Sequence, residues 1–350
     1  MRLLFLTSRL PFPPDRGDRL RTYHLLRNLS QFHAITLVSF VTSKIEAQRA
    51  SELDAFCEDM HLIIRTKVRS QITALANIWR RQPMQALYYR SEKMEHLINS
   101  LLESGSYDAI YVHLFRMAPY VSNSPRTYRI VDLTDVVSSE ISASLPYRPL
   151  LSRFIYQLEQ PRIATYERDV ASWAEETWLI CERDRSKLAE SISPANLQVV
   201  PNGIDLNRFC RLERRSRNKR LIFVGHLDVF HNIDAALFLL NDLFPRVRDK
   251  IPDCTLDIVG PGTGLQLSGL EVDQGIRFRG FVPDLNQVLN EAAVFVAPLR
   301  FSAGIQNKVL EAMAAELPVV TTNNVNHGLD ARPGIDLLLG DGAGELVNAI

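Results

Sequence analysis

The stretch APLRFSAGIQNKVLEAMA, residues 297–314, decides how the rest of the chain is interpreted. The apolar run AVFVAP predicts a buried strand that ends at Pro298. The turn LRFSAG follows, with Gly304 supplying the tight geometry. Beyond the turn, apolar residues recur at helical spacing and predict a helix with one face toward a sheet: Ile305, Val309, Ala312 and Met313. The stretch therefore predicts a strand, a turn and a helix in succession.

Lys308 lies in the first turn of this predicted helix, where the helix dipole disfavours a cation by about 0.5 kcal/mol. Gly304 lies just before the helix, and the free N–H groups there form an anion site. A bound diphosphate would remove this disadvantage, because its negative charge would attract both the helix N-terminus and Lys308. Arg300 could contact the same diphosphate. Glu311, three residues further along, can accept hydrogen bonds from two vicinal sugar hydroxyls. The alternative is an exposed i,i+3 ion pair between Lys308 and Glu311.

Short apolar runs of this kind recur along the whole chain, and several are continuous, which is typical of strands buried on both faces. Helical patterns separate them, so parallel sheets with crossover helices are predicted. The predicted strands are 2–7, 34–40, 61–66, 109–113, 128–133, 177–181, 220–225, 255–260, 276–280, 294–298 and 318–322.

A chain of 350 residues with this many strands predicts two domains. We place them at 1–205 and 206–350, with the basic segment 208–220 near the junction as a linker or as a basic patch toward an anionic surface. Two Rossmann-like doubly wound domains facing each other across a cleft are expected. Ligands would bind beyond the carboxyl ends of the strands.

The composition excludes several classes of protein. Lys+Arg and Asp+Glu both number 40, so nothing indicates a nucleic-acid partner. The four cysteines lie far apart, which argues against a zinc site or a disulfide framework and fits a reducing cytoplasm. No segment approaches the roughly 20 apolar residues of a membrane span. His226 and His231 lack a carboxylate at metal-ligand spacing, so no metal is predicted.

The motif PLRFSAGIQNKVLEAMAAELPVV (298–320) resembles the donor-binding signature of the family-4 retaining glycosyltransferases, which have the GT-B fold. Within that family it is most similar to the bacterial sugar transferases of exopolysaccharide and exosortase systems. Further stretches resemble family motifs in the same order: SRLPFPPDRGDRLRTYHLLRNLS (8–30), YDAIYVH (107–113), VVPNGID (199–205), LIFVGHL (221–227) and FRGFVPDL (278–285).

The resemblance implies a role for each matching residue. Glu311 should bind the ribose of a nucleoside diphosphate sugar, while Lys308 and the backbone at Gly304 and Ile305 hold the diphosphate. His113 takes the place of the acceptor-domain histidine near the donor sugar, although a histidine that ends an apolar strand also fits a structural role. The implied catalytic residues are His113, Lys308 and Glu311, and Asp135 is implied on the acceptor side. The implied donor-binding residues are Gly17, Gly225, His226, Val282, Arg300, Ser302, Gly304, Ile305, Lys308, Val309 and Glu311.

Some positions depart from the family pattern. Ala303 stands where many members have a glutamate that contacts the donor sugar. His226 and the pair His231-Asn232 stand where the family often has basic residues, so neutralisation of the phosphates should rest more on Lys308 and Arg300. The family also has further C-terminal helices, and the chain is therefore expected to be incomplete after Ile350.

The resemblance implies transfer of a sugar, with retention, from a nucleoside diphosphate sugar (a UDP-sugar is favoured) to a hydroxyl acceptor. The expected acceptor is a lipid-linked saccharide in exopolysaccharide biosynthesis, and no cofactor or metal is expected. A cytoplasmic protein at the inner face of the membrane is implied. The segment IWRRQPMQALYYRSEKM (78–94) is a candidate for lipid contact, with an ordinary surface helix around Pro83 as the alternative.

Two other functions remain open at this point. A nucleotide-sugar 2-epimerase would share the GT-B fold, and a non-enzymatic two-domain receptor for a small molecule would not need Lys308 together with Glu311. A dehydrogenase is disfavoured because RLLFLTSRL (2–10) lacks the glycine-rich turn after its strand.

Overall fold

The computed structural model describes residues 1–77, 79–124, 127–212, 218–262 and 275–350. The chain forms two compact units. Unit 1 comprises Met1–Ser142 and Pro149–Pro201, and unit 2 comprises Ala143–Arg148 and Asn202–Ile350. The short segment Ala143–Arg148 thus belongs to unit 2 although the chain on both sides of it belongs to unit 1. Residues 213–217 of the basic segment near the predicted junction lie outside the described residues.

Unit 1 is built on a sheet of parallel strands. They are β1 (Arg2–Thr7), β2 (Ala34–Val41), β3 (Asp59–Ile64), β4 (Ala109–His113), β5 (Tyr128–Thr134), β6 (Glu176–Leu179) and β7 (Leu197–Val199). Their order across the sheet is β3-β2-β1-β4-β5-β6-β7, and every neighbouring pair is parallel. β1 lies in the interior of the sheet between β2 and β4, and its Leu4, Phe5 and Leu6 are fully buried, as its continuous apolar run predicts.

Helices connect these strands. They are α1 (Gly17–Leu29), α2 (Lys44–Gln48), α3 (Lys67–Ala76), α4 (Met84–Tyr88), α5 (Glu92–Ser104), α6 (Val137–Ser144), α7 (Leu150–Trp173) and α8 (Glu182–Ala189). The chain turns sharply where β4 and β5 end, because Leu114 has a φ of 70° and Thr134 a φ of 67°. These turns bring the residues after both strands to the same edge of the sheet.

Unit 2 has its own parallel sheet. Its strands are β8 (Arg220–Val224), β9 (Thr255–Val259), β10 (Ile276–Gly280), β11 (Val294–Ala297), β12 (Val319–Thr321) and β13 (Leu338–Leu339). The order is β10-β9-β8-β11-β12-β13, again parallel throughout. The predicted parallel sheets are confirmed. The short edge strands β7 and β13 were not predicted.

The helices of unit 2 are α9 (Phe230–Phe238), α10 (Phe244–Lys250), α11 (Leu285–Asn290), α12 (Asn307–Ala314), α13 (Asn323–Leu329) and α14 (Ala343–Ala349). A π-helical turn, Leu239–Leu243, joins α9 to α10. α12 is the helix predicted after Gly304, and its Val309 and Ala312 are fully buried in the core. In the described part of the chain, no helix combines the length and apolar character needed to cross a membrane.

Candidate functional site

The turn between β11 and α12 is held in place by α13. Gly304 has a φ of 52°, a conformation that favours glycine. A Cβ added to Gly328 of α13 would lie 2.1 Å from the Gly304 carbonyl oxygen, so the two backbones are in direct contact. Asn324 Nδ2 donates a hydrogen bond of 2.8 Å to the buried Ser302 hydroxyl. The predicted donor residues Ser302 and Gly304 are thus fixed by a second helix.

The N-terminus of α12 has the properties of an anion site. Gln306 occupies the N-cap position without a side-chain capping bond. Its Nε2 instead donates to the Ala303 carbonyl at 3.0 Å. The Val309 N–H donates to the Gln306 carbonyl at 2.9 Å, which leaves the N–H groups of Asn307 and Lys308 to bind an anion. Asn202, in the motif at 199–205, donates to the Asn307 side chain at 3.0 Å and ties that motif to this helix end.

Lys308 is half-buried and donates a hydrogen bond to Asn232 Oδ1. Its Nζ also lies 5.4 Å from the centroid of the Phe223 ring. Burial lowers the pKa of Lys308 to about 7, and the charge of Glu311 only partly opposes this. Lys308 and Glu311 form no ion pair, so the alternative of an exposed i,i+3 pair is wrong.

Glu311 lies one turn after Lys308 and is also half-buried. Burial raises the pKa of its carboxyl, while the charges of Arg208 and Lys308 lower it. Arg208 was not predicted as a site residue, because it lies in the basic stretch after the junction motif, more than a hundred residues away. The helix end thus offers a cation and a carboxyl group side by side.

The turn after β8 packs closely on the turn after β9. A Cβ on Gly260, whose φ is 140°, would lie 2.0 Å from the Gly225 carbonyl oxygen. Asn232 fills the space next to Gly225, where an added Cβ would meet the Asn232 Cγ at 2.8 Å. Asn232 Nδ2 donates to the His226 carbonyl at 3.1 Å. Asn232 therefore joins the predicted residues Gly225 and His226 to Lys308, although it was noted in the sequence only as a departure from the family pattern.

Arg300 differs from expectation, because its guanidinium is already paired. Its Nε donates to Asp234 Oδ2 at 2.9 Å, and a second nitrogen donates to Oδ1 at 2.5 Å. The guanidinium carbon lies 4.2 Å from the centroid of the Tyr147 ring and 5.1 Å from that of Phe238. Its charge is therefore neutralised by a carboxylate, and Lys308 is left as the better candidate for the diphosphate.

The remaining predicted donor residues occupy three environments. Val309 is fully buried in the core, so its side chain contributes packing. Ile305 is half-buried in the turn before α12. Val282 is half-buried beside the core just after β10, and the neighbouring Phe281 is exposed.

His113 ends β4 in unit 1 and is 2% exposed. Its Nε2 atom is buried and has no hydrogen-bond partner in the described ranges of the chain. Burial lowers the pKa of His113 to about 4, against the opposing charges of Asp132 and Asp18. The imidazole is therefore neutral at pH 7, with one buried nitrogen whose hydrogen-bonding capacity is unused by the described residues.

Asp132 organises the residues around His113 and was not predicted. It is fully buried and accepts hydrogen bonds of 2.6 Å from both Arg21 Nε and the Tyr111 hydroxyl. The Thr134 N–H donates to its other oxygen at 2.9 Å. The carboxylate thus connects α1, β4 and the turn after β5. In the sequence, the position of Asp132 in a predicted apolar strand, at the start of DLTD (132–135), was the only indication that this carboxylate is buried and bonded.

Gly17 is exposed at the start of α1, next to the half-buried Asp18. Arg9 NH1 donates to Asp18 Oδ2 at 3.0 Å. Burial raises the pKa of Asp18, but Arg9, His113 and Arg116 together hold it below its ordinary value. Asp18 is a second acidic residue near the predicted histidine that the sequence did not single out.

Asp135 lies directly after β5 and is half-buried. Its Oδ1 atom has no partner among the described residues. Burial and the nearby carboxylates Asp184 and Glu140 raise the pKa of Asp135 well above its ordinary value. The side chain therefore tends toward the protonated form, which can donate a hydrogen bond.

Two further sequence interpretations can be compared with the structure. Within the described residues, no group of three or more His, Cys, Asp and Glu side chains is arranged to hold a metal ion. Independence from metal stays a prediction. In the segment 78–94, Tyr89 is buried and Tyr88 is half-buried, while Trp79 is 75% exposed. Ile78 lies outside the described residues. The expected amphipathic face is therefore wrong for these two tyrosines, which pack around Arg65.

Comparison with known proteins finds a family that matches part of unit 2. Residues 218–350 match the family described as Glycosyl transferases group 1. A phosphatidyl-myo-inositol mannosyltransferase of Mycobacterium tuberculosis (strain CDC 1551 / Oshkosh) is 30% identical over 132 residues, which are 35% of this chain and 34% of that protein. The match thus spans about a third of the length of this curated relative.

Two other comparisons extend over nearly the whole chain. An uncharacterized 44.6 kDa protein in the cps region of Klebsiella pneumoniae is 22% identical over 97% of this chain and 87% of its own length. The crystal structure of Anabaena Alr3699/HepE in complex with UDP has a TM-score of 0.67 at 15% identity, covering 99% of this chain and 88% of that one. Together with the two parallel sheets, these findings confirm the predicted resemblance to GT-B glycosyltransferases.

Proposed function

We propose that this chain, which has the GT-B fold and whose residues 218–350 form a group 1 glycosyltransferase domain, transfers a sugar from a nucleoside diphosphate sugar to a hydroxyl acceptor. One observation carries the proposal. Lys308 is half-buried at the N-terminus of α12, bonded to the neutral Asn232 and not to a carboxylate, with Glu311 one turn away. Such a cation has unused capacity for an anionic ligand.

The diphosphate binds at the N-terminus of α12. The first-turn N–H groups and the helix dipole favour the anion, and Lys308 adds a charged hydrogen bond. Glu311 accepts hydrogen bonds from the two ribose hydroxyls. The donor is a UDP-sugar, which is supported by the similarity of fold to a protein crystallised with UDP.

The reaction proceeds with retention of the anomeric configuration and without a metal. The acceptor oxygen forms a bond to the anomeric carbon on the face from which the diphosphate leaves. The bond from that carbon to the phosphate oxygen breaks, and the leaving phosphate takes the acceptor proton. Positive groups fixed around the diphosphate stabilise its developing charge. The neutral His113 of unit 1 has an Nε2 atom without a partner among the described residues, which gives it hydrogen-bonding capacity.

The acceptor is a lipid-linked saccharide of exopolysaccharide biosynthesis, used at the cytoplasmic face of a membrane. The similarity to a protein encoded in a cps region supports a polysaccharide pathway. The similarity to a mannosyltransferase named for phosphatidyl-myo-inositol supports a lipid acceptor.

Calorimetric titration with UDP tests the donor site. The wild-type chain is expected to bind UDP saturably, and Lys308→Ala and Glu311→Ala should each weaken binding about 10- to 100-fold, as expected for lost hydrogen bonds to charged groups. Lys219→Ala, in the same unit at an exposed ion pair with Asp253, serves as the control and should bind normally. Normal binding by both site variants would refute the assignment.

A product assay tests the reaction. Incubation with UDP-sugars and a lipid-linked saccharide should release UDP only when the acceptor is present, and NMR of the product should show the donor's anomeric configuration. Conversion of the UDP-sugar to its 2-epimer without an acceptor would identify an epimerase instead.

A further inference from the structure

Helices α3 and α7 of unit 1 present apolar residues to solvent. On α3 the exposed residues Val68, Ile72 and Leu75 form a stripe, while the inward-facing positions are Ser70 and Ala74. This pattern is the reverse of an ordinary surface helix, whose apolar face is buried. Leaving three large apolar side chains of one helix in water is unfavourable unless something covers them.

The first turns of α7 show the same feature. Leu150 is 85% exposed and Leu151 80% exposed, and the exposed residues Phe154, Ile155 and Leu158 continue the surface. Farther along the helix the usual order returns, with Ile163, Val170 and Ala171 buried. The apolar face is therefore confined to the N-terminal part of α7.

Both helices contact α4. α3 packs against α4, and the N–H of Met84 at the start of α4 donates to Glu159 Oε2 of α7 at 2.8 Å. A cavity of about 290 Å³ is lined by Arg80 and Arg90, which lie before and after α4, and by Tyr166 and Trp173 of α7, together with the acidic Glu95 and Asp169. We call the exposed apolar residues of α3 and α7, together with the exposed Trp79 that follows α3 in the sequence, the apolar face.

The segments that carry the apolar face are rich in basic residues. Residues 65–91 include six basic and no acidic residues, and the exposed first turns of α7, residues 150–158, include Arg153 and no acidic residue. The whole chain, by contrast, has as many acidic as basic residues. A basic excess beside exposed apolar side chains matches an anionic bilayer, in which lipid charges attract the arginines and the interface accepts the apolar groups.

We propose that the apolar face of α3 and α7 docks the chain onto an anionic lipid bilayer. The proposal deepens and rests on the proposed function, because it names the surface through which a lipid-linked acceptor would be reached. A second copy of the chain is a poorer occupant, since a symmetric contact would bring the same basic residues of both copies together.

Co-sedimentation with lipid vesicles tests the proposal. The wild-type chain should bind vesicles of phosphatidylcholine with 30% phosphatidylglycerol. Its binding to vesicles of phosphatidylcholine alone should be at least tenfold weaker. The double variant Leu151→Glu/Phe154→Glu and the single variant Ile72→Glu should each lower binding at least tenfold. The control Phe32→Glu changes another exposed apolar residue of unit 1 and should bind as wild type does.

Arg80→Gln/Arg81→Gln tests the basic residues. It should lower binding to the anionic vesicles at least tenfold, because each basic residue near the surface contributes about a factor of five to the binding constant.

UDP titration of the same variants separates this proposal from the proposed function. Normal UDP affinity together with lost vesicle binding supports both. Absence of vesicle binding by wild-type protein that binds UDP overturns the docking surface alone, and absence of UDP binding by a chain that binds vesicles overturns the donor site alone. Light scattering that shows a dimer dissociated by Leu151→Glu/Phe154→Glu, with no vesicle binding, would assign the apolar face to a second copy.

Discussion

Lys308 combines three features that are each unfavourable in a protein without a ligand. It is a cation near the positive end of a helix dipole, it is half-buried, and its hydrogen-bond partner is the amide of Asn232. A diphosphate removes all three disadvantages, because it supplies negative charge where the helix and the lysine both favour it. The strain of this position is therefore best understood as preparation for an anion.

The pH dependence of UDP binding follows from Lys308. Its pKa of about 7 in the free protein means that the ammonium is lost as the pH rises above 7, whereas bound diphosphate raises the pKa and requires a proton to be taken up. UDP affinity should fall about tenfold between pH 7 and pH 8.5, a range in which the phosphates are already ionised. Titration calorimetry at several pH values measures this change. Lys308→Met should bind weakly at all of them, and a wild-type affinity independent of pH would contradict the prediction.

His113 should make the chain sensitive to acid. Its pKa is about 4 in the folded state and about 6.5 in the unfolded state, so the unfolded state binds an extra proton between these values and stability falls as the pH drops through this window. The loss attributable to His113 is about 2 kcal/mol between pH 7.5 and pH 4.5. Urea unfolding of wild type and His113→Asn at both pH values measures it. Equal acid sensitivity of the two proteins would show that His113 is already charged or exposed.

At the scale of elements, the site depends on backbones that touch. The β11–α12 turn rests on α13 through Gly304 and Gly328, and the turns after β8 and β9 meet at Gly225 and Gly260. Each contact leaves no room for a Cβ. The turns that carry the donor residues are therefore positioned by neighbouring elements and not by their own sequence alone.

Gly328→Ala should disturb the donor turn. Its Cβ would lie 2.1 Å from the Gly304 carbonyl oxygen, so the turn must shift, and we expect a loss of about 2 kcal/mol in stability and at least a tenfold loss in UDP affinity. Gly344→Ala is the matched control, because it also lies in a helix of unit 2 but its Cβ meets nothing within 4 Å. That change should stabilise the chain by up to about 1 kcal/mol. Thermal unfolding and UDP titration of both variants decide the matter, and similar behaviour of the two would argue against the contact.

At the scale of the whole molecule, segment Ala143–Arg148 belongs to unit 2 although it interrupts the sequence of unit 1. Tyr147 stacks on Phe301 at a centroid distance of 5.3 Å, and Arg148 lies 4.4 Å from the ring centroid of Phe230. Phe301 follows Arg300 in the donor turn. The segment thus contributes aromatic packing to the same turn that α13 supports.

Tyr147→Ala should therefore destabilise unit 2 selectively. All three tryptophans, Trp79, Trp173 and Trp178, lie in unit 1, so tryptophan fluorescence reports that unit, whereas far-UV circular dichroism reports both. Loss of the stacked ring and its cation–π contact should cost about 1–3 kcal/mol. In urea the circular dichroism transition should move to lower concentration while the fluorescence transition stays unchanged.

Tyr128→Ala, at a tyrosine of similar exposure in unit 1, provides the opposite comparison. Here the fluorescence transition should move fully, and the circular dichroism transition should move less, because only its contribution from unit 1 changes. Shifts of equal size by both probes in either variant would mean that the two units unfold together, against the prediction.

Local patterns in the sequence were enough to predict the strand–helix alternation, the parallel sheets and the helix that carries Lys308 and Glu311. These features depend on local periodicity and on apolar runs, both of which involve residues that are close together in the sequence. Only the tertiary structure showed that Asn232 holds Lys308, that Asp234 neutralises Arg300 and that Asp132 links Arg21 to Tyr111. Such partners are far apart in sequence and meet only when helices pack on sheets. The same reason explains why the exposed apolar residues of α3 and α7 were missed: an apolar residue at helical spacing looks the same in a sequence whether it faces the core or the solvent.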